Sequence, residues 1–225
     1  MSTHLITGAN RGIGYEMTRQ LLAQEHHVVA TCRDLSAAKE LASLSGKLDL
    51  HELDVCSEPA SRDLAAKLSG LTIDVLINNA GVMAQKQSLD DMDCAEWLTS
   101  FEVNAISPWR LSVDFAAHME ASERPRLVTI TSQMGSLERA GSDRVAYRSS
   151  KAAANMAMRT LALEWKPRGI TVCMLHPGWV RTEMGGSDAA LGTIESAAGL
   201  LQVIDGLTLS DTGRFLDYQG IDIPW

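Results

Sequence analysis

A tyrosine and a lysine four positions apart are the residues of this 225-residue chain best suited to proton transfer. Tyr147 and Lys151 fall one turn apart on the same face of a predicted helix. A free tyrosine titrates near pH ~10 and is an acid at rest, while a neighbouring ammonium group stabilises the phenolate and lowers that pKa. We therefore expect Lys151 to tune Tyr147 as a general acid. Because such pairs also arise by chance on protein surfaces, the interpretation depends on corroborating residues elsewhere in the chain.

Corroborating residues follow three apolar runs that are predicted to be strands. Ser132 comes directly after the run 126–131, where its hydroxyl is suited to hold a carbonyl oxygen. An Asn-Asn-Ala-Gly turn occupies positions 78–81, and a His-Pro-Gly turn occupies positions 176–178. Ligands of open α/β sheets bind outside the carboxyl ends of the strands, so these turns and Ser132 are expected to share one site.

A glycine-rich turn lies between the first predicted strand and the first predicted helix. Gly8, Gly12 and Gly14 stand where the chain turns tightly and where a pyrophosphate would approach the backbone. The helix that follows offers free N–H groups and the positive end of its dipole, which favour a phosphate. The turn therefore predicts a dinucleotide-binding site.

The end of the second predicted strand decides between the two nicotinamide cofactors. An acidic residue there binds ribose hydroxyls, whereas an arginine accommodates a 2′-phosphate. Cys32 occupies the acidic position, Arg33 follows it, and Arg11 offers a second positive charge. The sequence thus favours NADP(H) over NAD(H). Two alternatives stay open: both arginines are ordinary surface residues, or the strand ends later and Asp34 contacts the ribose.

Seven short β-rich runs alternate with helical patterns along the chain. The strands are predicted at residues 4–7, 28–32, 48–53, 73–77, 126–131, 170–175 and 214–216. The helices are predicted at residues 14–24, 37–44, 58–68, 95–121, 146–166 and 195–205. Since parallel strands need helical crossovers, the alternation predicts an α/β fold, a Rossmann-type doubly wound parallel sheet with helices on both faces. No repeat or linker divides the chain, so residues 1–225 are expected to form one domain.

Composition and charge argue against several other functions. Apolar residues make up 45% and charged residues 21%, as in globular proteins rather than fibrous or disordered chains. The formal net charge of −8 lacks the basic character that a nucleic-acid partner requires. Four scattered cysteines predict neither a disulfide framework nor a metal site. With no export signal and no long apolar run, we expect a cytoplasmic protein without a membrane partner.

The motifs resemble those of the short-chain dehydrogenase/reductase family over essentially the whole chain. In order they are TGxxxGxG at 7–14, NNAG at 78–81, Asn104, Ser132, YxxxK at 147–151 and Pro177-Gly178. The segment 208–216, the Gly185-Gly186 loop and the terminal Pro224-Trp225 further resemble the C-factor and Sniffer-type carbonyl reductase branch. The resemblance implies an oxidoreductase that transfers hydride between NADPH and a ketone, an aldehyde or a secondary alcohol.

The resemblance also implies a role for each matching catalytic residue. Tyr147 would donate the proton, and Lys151 would hold the nicotinamide ribose hydroxyls. Ser132 would orient and polarise the carbonyl, while Asn104 would position a water in the proton relay. The expected substrate is a small-molecule carbonyl or alcohol, and the direction of the reaction stays open.

The cofactor would contact residues from four turns of the chain. Asp54 would reach adenine through its side chain and Val55 through its backbone, and residues 79–81 would lie beside the adenosine ribose. The full predicted set is Gly8, Asn10, Arg11, Gly12, Ile13, Gly14, Arg33, Asp54, Val55, Asn79, Ala80, Gly81, Tyr147, Lys151, Pro177, Gly178, Val180 and Thr182.

Asn104 also has a local physical interpretation, because Pro108 lies four residues later within the predicted helix 95–121. A helical proline cannot donate to the carbonyl four residues back, and its ring crowds that carbonyl. We expect Pro108 to help kink this helix and to leave the Asn104 main-chain carbonyl free for the relay water. An unbroken helix through 100–115 would contradict this hypothesis.

Apolar residues in the loops after the strands are candidates for a substrate pocket. They are Met83, Met134, Trp179 and Met184. A short substrate loop around 182–193 predicts an open pocket and broad specificity. A homodimer and a homotetramer both stay open, with the helices 95–121 and 146–166 forming the interface if the family mode applies.

An alternative function is kept beside the reductase. The likeness to C-factor allows an NADP(H)-binding signalling or redox-sensing protein with little turnover. The complete set Asn104, Ser132, Tyr147 and Lys151 argues against it, because a pure binding module has no need for all four.

Overall fold

Seven parallel strands form one sheet in the computed structural model, which describes residues 1–225. The strands are β1 (Thr3–Thr7), β2 (His27–Cys32), β3 (Leu48–Glu52), β4 (Val75–Asn78), β5 (Arg126–Ile130), β6 (Thr171–His176) and β7 (Phe215–Asp217). Their order across the sheet is β3-β2-β1-β4-β5-β6-β7. Every predicted strand is present within about two residues at either end, an ordinary difference for element boundaries. The predicted doubly wound parallel sheet is confirmed.

Eight α-helices connect these strands and cover both faces of the sheet. They are α1 (Gly12–Ala23), α2 (Lys39–Ala42), α3 (Glu58–Lys67), α4 (Cys94–Phe101), α5 (Ser107–Asp114), α6 (Ala116–Glu120), α7 (Val145–Trp165) and α8 (Thr193–Gly206). Side chains of α1 and α8 pack on one face, and side chains of α3, α5 and α7 pack on the other. None of these helices combines the length and the apolar character that crossing a bilayer would require.

The two cores arise because successive strand residues point to opposite faces. Leu5 of β1 and Leu76 of β4 join the cluster beneath α7, whereas Ile6 and Ile77 join the cluster beneath α1 and α8. All four side chains are fully buried. Removing a side chain of this kind from water contributes about 1.5–3 kcal/mol, so the sheet is a rigid platform for the turns at its edge.

The predicted helix 95–121 is interrupted in the structure. A π-helical turn (Glu102–Ile106) separates α4 from α5, and α6 follows after another break. The Ser107 amide donates to the Glu102 carbonyl, five residues back, and the Ser107 hydroxyl donates to the Val103 carbonyl at 3.0 Å. Pro108 has no N–H to offer the preceding turn, which explains the widened helix. The helix is therefore widened beside Asn104 while the chain stays helical from residue 94 to 114, and the free Asn104 carbonyl stays a prediction.

The direction of winding reverses between β1 and β4, which are neighbours in the sheet. From β1 the chain proceeds outward through β2 and β3, and from β4 it proceeds the other way through β5, β6 and β7. Ligands of such sheets bind in the crevice that this reversal opens at the carboxyl ends of the strands. The turns that follow β1, β4, β5 and β6 therefore form the candidate site.

Candidate active site

The glycine turn between β1 and α1 depends on the absence of side chains. Gly8 and Gly12 have backbone φ angles of +64° and +59°, in the left-handed region that other residues rarely adopt. A Cβ at Gly14 would lie 2.5 Å from the Asn79 amide nitrogen and 2.5 Å from the Gly8 carbonyl oxygen. Only glycine fits at this position.

The N-terminus of α1, which follows the turn, is suited to an anion. Arg11 precedes the helix without capping it through its side chain, and no acidic residue occupies the first turn. The first N–H groups of a helix have no intrahelical partner, so they are available to a phosphate. Asn10 and Ile13, both predicted to contact the cofactor, lie half-buried in the same turn.

Thr7 and Asn79 join the ends of β1 and β4. The Thr7 hydroxyl accepts hydrogen bonds from the backbone amides of Asn79 and Ala80, each at 3.0 Å. The Asn79 side chain donates back to the carbonyls of Thr7 at 2.9 Å and Gly8 at 3.1 Å. These four bonds hold the two turns at a fixed separation across the crevice.

Tyr147, the third residue of α7, is buried beside Ser132 at the end of β5. Burial raises the pKa of Tyr147 to about 12, and interactions with the Ser132 side chain and the Arg144 charge oppose that rise. The phenol is therefore protonated at neutral pH. Lys151 is not among the groups that shift this pKa, and a tuning role for Lys151 stays a prediction.

Lys151 lies one turn further along α7 and is 4% exposed. Its Nζ donates to the Ile130 carbonyl oxygen at 3.0 Å and lies 5.8 Å from the centre of the Tyr147 ring. Burial lowers the pKa of Lys151 to about 8. The Lys151 Nζ also lies near Gly81, in the turn after β4. A Cβ built on Gly81 would be 3.6 Å from this nitrogen.

Asn104 in the π-helical turn holds the backbone that follows β4. Its Oδ1 accepts from the Val82 amide at 2.9 Å, and its Nδ2 donates to the Val82 carbonyl at 2.8 Å. The same Nδ2 donates to the Ser150 hydroxyl of α7 at 2.9 Å. The side chain is 1% exposed and all its visible bonding is to protein, so Asn104 links the β4 turn to the helix that carries Tyr147 and Lys151.

The end of β2 carries the residues that the sequence analysis assigned to cofactor choice. Cys32 is the last residue of the strand and is buried, whereas Arg33 and Asp34 that follow it are exposed. The Asp34 carboxylate accepts from the Ser36 amide at 2.8 Å and from the Ser36 hydroxyl at 2.6 Å. Because Asp34 is engaged by this local turn, Arg33 is the more available of the two. Arg11, the second predicted charge, forms an exposed ion pair with Glu183.

The residues predicted to contact adenine follow β3. Asp54 is exposed, and its Oδ1 accepts from the Cys56 amide at 3.0 Å. The Val55 carbonyl accepts from Arg110 of α5 at 2.7 Å, and Arg110 also pairs with Glu102 at 3.1 Å. The backbone at Val55 is thus fixed by an arginine from the opposite side of the turn.

The turn after β6 brings Thr182 towards the glycine turn. A Cβ at Gly12 would lie 3.5 Å from the Thr182 methyl group, and Gly178 has a left-handed φ of +86°. The Pro177 carbonyl accepts from the Ser196 hydroxyl of α8 at 2.6 Å, and Val180 pairs with Leu191. This loop therefore closes one side of the crevice.

The apolar residues proposed for the substrate pocket lie in the expected loops with different exposure. Met83 and Met134 are half-buried, whereas Trp179 is 55% and Met184 is 41% exposed. The Trp179 indole donates to the Gly185 carbonyl at 2.8 Å, which orients its ring within the loop after β6.

Comparison with known proteins identifies the family. The family model described as short chain dehydrogenase matches residues 2–190. The chain belongs to this family. The family predicted from the motifs is thereby confirmed.

Individual relatives agree with this assignment. C-signal of Myxococcus xanthus is 45% identical over 155 residues, which cover 68% of this chain and 93% of that protein. The NADPH-bound carbonyl reductase from chicken fatty liver is 32% identical with a TM-score of 0.93, covering 100% of this chain and 99% of that chain. Carbonyl reductase Sniffer of D. melanogaster is 30% identical with a TM-score of 0.94, covering 100% of both chains. These relatives agree with the branch predicted from the sequence.

Several residues at the site were not singled out from the sequence. The Thr7 hydroxyl, the Ser150 hydroxyl, Arg110 and Gln87 all bond to the backbone or side chains of predicted site residues. Thr7 belongs to the glycine motif, so its position was a usable signal. The other three bond to residues that are 46 to 60 positions away in the sequence, so no local pattern indicates these contacts.

Proposed function

We propose that this short-chain dehydrogenase family member is an NADPH-dependent carbonyl reductase. The observation that carries the proposal is the meeting of Ser132, Tyr147 and Lys151 at one edge of the sheet, beside a glycine turn that faces the β1–β4 crevice. A protonated phenol, a hydroxyl and a buried ammonium are the groups that carbonyl reduction requires of the protein. The two carbonyl reductases described above are similar over the whole chain.

The residues around the crevice fit a dinucleotide phosphate. Gly8, Gly12 and Gly14 leave the backbone open, and the α1 N-terminus has no side chain that competes for its N–H groups. Arg33, after the non-acidic Cys32, would bind the 2′-phosphate, which distinguishes NADPH from NADH. Asp54, Val55, Asn79, Ala80, Gly81, Pro177, Gly178, Val180 and Thr182 would complete the site. The bound nicotinamide supplies the hydride.

The chain's own residues would orient the substrate and supply the proton. Ser132 donates from its hydroxyl to the carbonyl oxygen, and Tyr147 transfers its phenolic proton to that oxygen as it becomes negative. Lys151 holds the nicotinamide ribose hydroxyls, so the ribose is fixed relative to Tyr147. Asn104 keeps the β4 turn in register with α7 and places the relay water. In the reverse direction Tyr147 acts as the base.

The substrate is a small molecule that enters beside apolar side chains, two of them half-buried and two exposed. Met83, Met134, Trp179 and Met184 supply apolar contact area at the mouth, and the short loop around 182–193 leaves the pocket open. This arrangement favours broad specificity for apolar ketones, aldehydes and quinones. The helical segments 95–121 and 146–166, which contain α4, α5, α6 and α7, would form the interface of a homodimer or homotetramer. Nucleic acid and membranes are not expected as partners.

Substrate turnover in purified protein tests the proposal directly. Oxidation of NADPH, and separately of NADH, is followed with a panel of quinones, aldehydes and ketones. We expect Tyr147→Phe to lower kcat by about 10³-fold, because the ring keeps its packing and only the transferable proton is lost. Tyr218→Phe, at the end of β7, serves as the matched control and should retain wild-type kcat. Tight NADPH binding without turnover of any carbonyl would instead favour the signalling or redox-sensing function.

Cofactor choice has its own test at the end of β2. Arg33→Ala should weaken NADPH binding by about tenfold and leave NADH binding unchanged, because only the 2′-phosphate contact is removed. Arg62→Ala, which removes an exposed charge from α3, is the control for overall charge. Equal weakening of both cofactors would contradict the role of Arg33.

A further inference from the structure

Gln87, in the loop after β4, reaches the backbone of the tyrosine proposed as the acid. Its Oε1 accepts a hydrogen bond from the Tyr147 amide at 3.1 Å. Its Nε2 donates to the Ala84 carbonyl at 2.6 Å, within the same loop. The side chain is buried, and Gln87 also pairs with Met92 across the loop. The side-chain amide of Gln87 is therefore bonded to its own loop through Nε2 and to the Tyr147 backbone through Oε1.

The first turn of α7 needs such a partner. The residue before the helix, Arg144, has a left-handed φ of 53° and makes no capping bond through its side chain. The first N–H groups of any helix have no intrahelical acceptor, and an unpaired buried donor is costly. Gln87 supplies for Tyr147 the acceptor that a local capping residue usually supplies, from 60 positions earlier in the chain.

Two other side chains bind the same stretch of α7 through serine hydroxyls, and neither contacts Tyr147 directly. Trp97 of α4 donates from its indole to the Ser149 hydroxyl at 2.8 Å, and Asn104 donates to the Ser150 hydroxyl at 2.9 Å. The contact of Gln87 differs because it is made directly with the Tyr147 amide, whereas Asn104 reaches the Tyr147 carbonyl only through the Ser150 hydroxyl, which donates to that carbonyl at 2.8 Å. It also ties that main chain to the loop that contains Met83, at the mouth of the site.

We propose that Gln87 is a positioning residue. Its bond to the Tyr147 amide fixes the first turn of α7, so the position of the phenol depends on the ordered conformation of the loop 82–93. This inference rests on the proposed function for its effect on turnover. Without the bond, the first turn of α7 frays and the phenol spends less time in line with the substrate oxygen. Orientation of a reacting group is worth large factors in rate, so a small displacement at Tyr147 is sufficient.

Three variants separate positioning from general anchoring of the helix. Gln87→Met keeps the length of the side chain and removes the acceptor; we expect kcat to fall about tenfold with KM for NADPH changed less than about twofold. Gln87→Glu keeps an acceptor oxygen for the Tyr147 amide but loses the donor to the Ala84 carbonyl, so it should recover only part of kcat. Trp97→Phe removes the neighbouring bond to Ser149 and should leave kcat within about twofold of wild type.

Amide hydrogen exchange at Tyr147 supplies a measurement that does not depend on turnover. Gln87→Met should speed exchange of this amide by about tenfold, whereas Trp97→Phe should leave it unchanged. Unchanged protection of the Tyr147 amide in Gln87→Met overturns the inference, as does an equal kcat loss in Trp97→Phe. If wild-type protein turns over no carbonyl, the proposed function fails, and the exchange rate alone then decides whether Gln87 holds Tyr147.

Discussion

The glycine turn after β1 and the loop after β4 (residues 82–93) meet at the same crevice, yet their positions are fixed by different means. In the glycine turn the constraint is steric, since a Cβ at Gly14 would fall 2.5 Å from a backbone carbonyl. The loop after β4 is held by side chains from elsewhere: Asn104 binds Val82, and Glu96 accepts from the Gln85 amide at 2.6 Å and the Lys86 amide at 3.1 Å. The glycine turn has backbone too closely packed for a Cβ, in addition to its hydrogen bonds from Asn79, whereas the loop after β4 is held by side-chain hydrogen bonds.

This difference predicts different responses to mutation. Close-packed backbone has no low-energy way to move aside, so a steric violation in the glycine turn must distort β1 or α1. A hydrogen-bonded side chain can rotate, be replaced by water or be removed at a limited cost. The variants below therefore test whether backbone crowding outweighs side-chain bonding at this site.

Gly14→Ala is expected to have the largest effect. Its new Cβ would overlap the Gly8 carbonyl and the Asn79 amide, displacing the turn that would hold the pyrophosphate. We expect the free energy of unfolding to fall by about 3 kcal/mol and NADPH binding to be lost. Urea denaturation and titration of NADPH against protein fluorescence measure the two effects.

Gly206→Ala is the matched control for this substitution. Gly206 is the last residue of α8, and a Cβ there would meet nothing within 4 Å. The free energy of unfolding should stay the same or rise by up to about 1 kcal/mol, because alanine has fewer unfolded conformations. If both alanine variants bind NADPH equally well, the steric account of the glycine turn is wrong.

Asn104→Ala tests the hydrogen-bonded region. It leaves the Val82 amide and carbonyl without their partner and frees the Ser150 hydroxyl, so we expect a loss of about 2–3 kcal/mol in unfolding free energy. Turnover should fall while the glycine turn still binds NADPH. Asn155→Ala is the control, since that buried asparagine makes only one bond of 3.4 Å, to Gly135. An equal cost for both variants would show that truncation, not bonding, matters.

Lys151→Met tests how much the buried ammonium of Lys151 lowers the free energy of unfolding. Burial lowers the pKa of Lys151 from 10.5 to about 8, so at pH 7 the native state carries a charge that it disfavours. That cost is present in full below pH 8 and is relieved as pH rises from about 8 to 10.5. We expect the substitution to stabilise the protein at pH 7 by about 2 kcal/mol, after allowing for the lost bond to Ile130.

The stabilisation by Lys151→Met should shrink towards pH 10, where wild-type Lys151 is neutral in the folded state. Urea denaturation of both proteins at pH 7 and at pH 9.5 measures this difference. Lys47→Met, which removes an exposed ammonium, should change stability by less than about 0.5 kcal/mol at either pH. A pH-independent difference for Lys151→Met would assign the effect to packing rather than to charge.

The same contrast explains what the sequence could predict. The glycine turn, the seven strands and the YxxxK helix are local patterns, in which residue type and spacing directly reflect backbone geometry or side-chain periodicity. The break near Pro108 followed from a missing N–H, which is also local. The contacts of Gln87, Arg110 and Ser150 join segments that the chain brings together only on folding, so no spacing indicates them. The burial that raises the pKa of Tyr147 is likewise a tertiary property, so no local pattern indicates it.

Gly81→Ala is expected to have the smallest effect, because the atoms nearest to the new methyl group belong to side chains, which can move aside more easily than backbone. A Cβ at Gly81 would lie 3.3 Å from the Asn104 Oδ1, close enough to require a shift of a few tenths of an ångström, and 3.6 Å from the Lys151 Nζ, an ordinary contact. We expect a cost of about 1 kcal/mol, well below that of Gly14→Ala.

A double-mutant cycle with Asn104→Ala identifies the group that the Gly81→Ala methyl meets. Since removing the Asn104 amide also removes the crowded oxygen, the two substitutions together should cost about 1 kcal/mol less than the sum of their separate effects. Urea denaturation of the four proteins gives this coupling energy. If Gly81→Ala costs as much as Gly14→Ala and shows no coupling to Asn104, the turn after β4 is fixed by its backbone as rigidly as the glycine turn, and hydrogen bonding is not what separates the two regions.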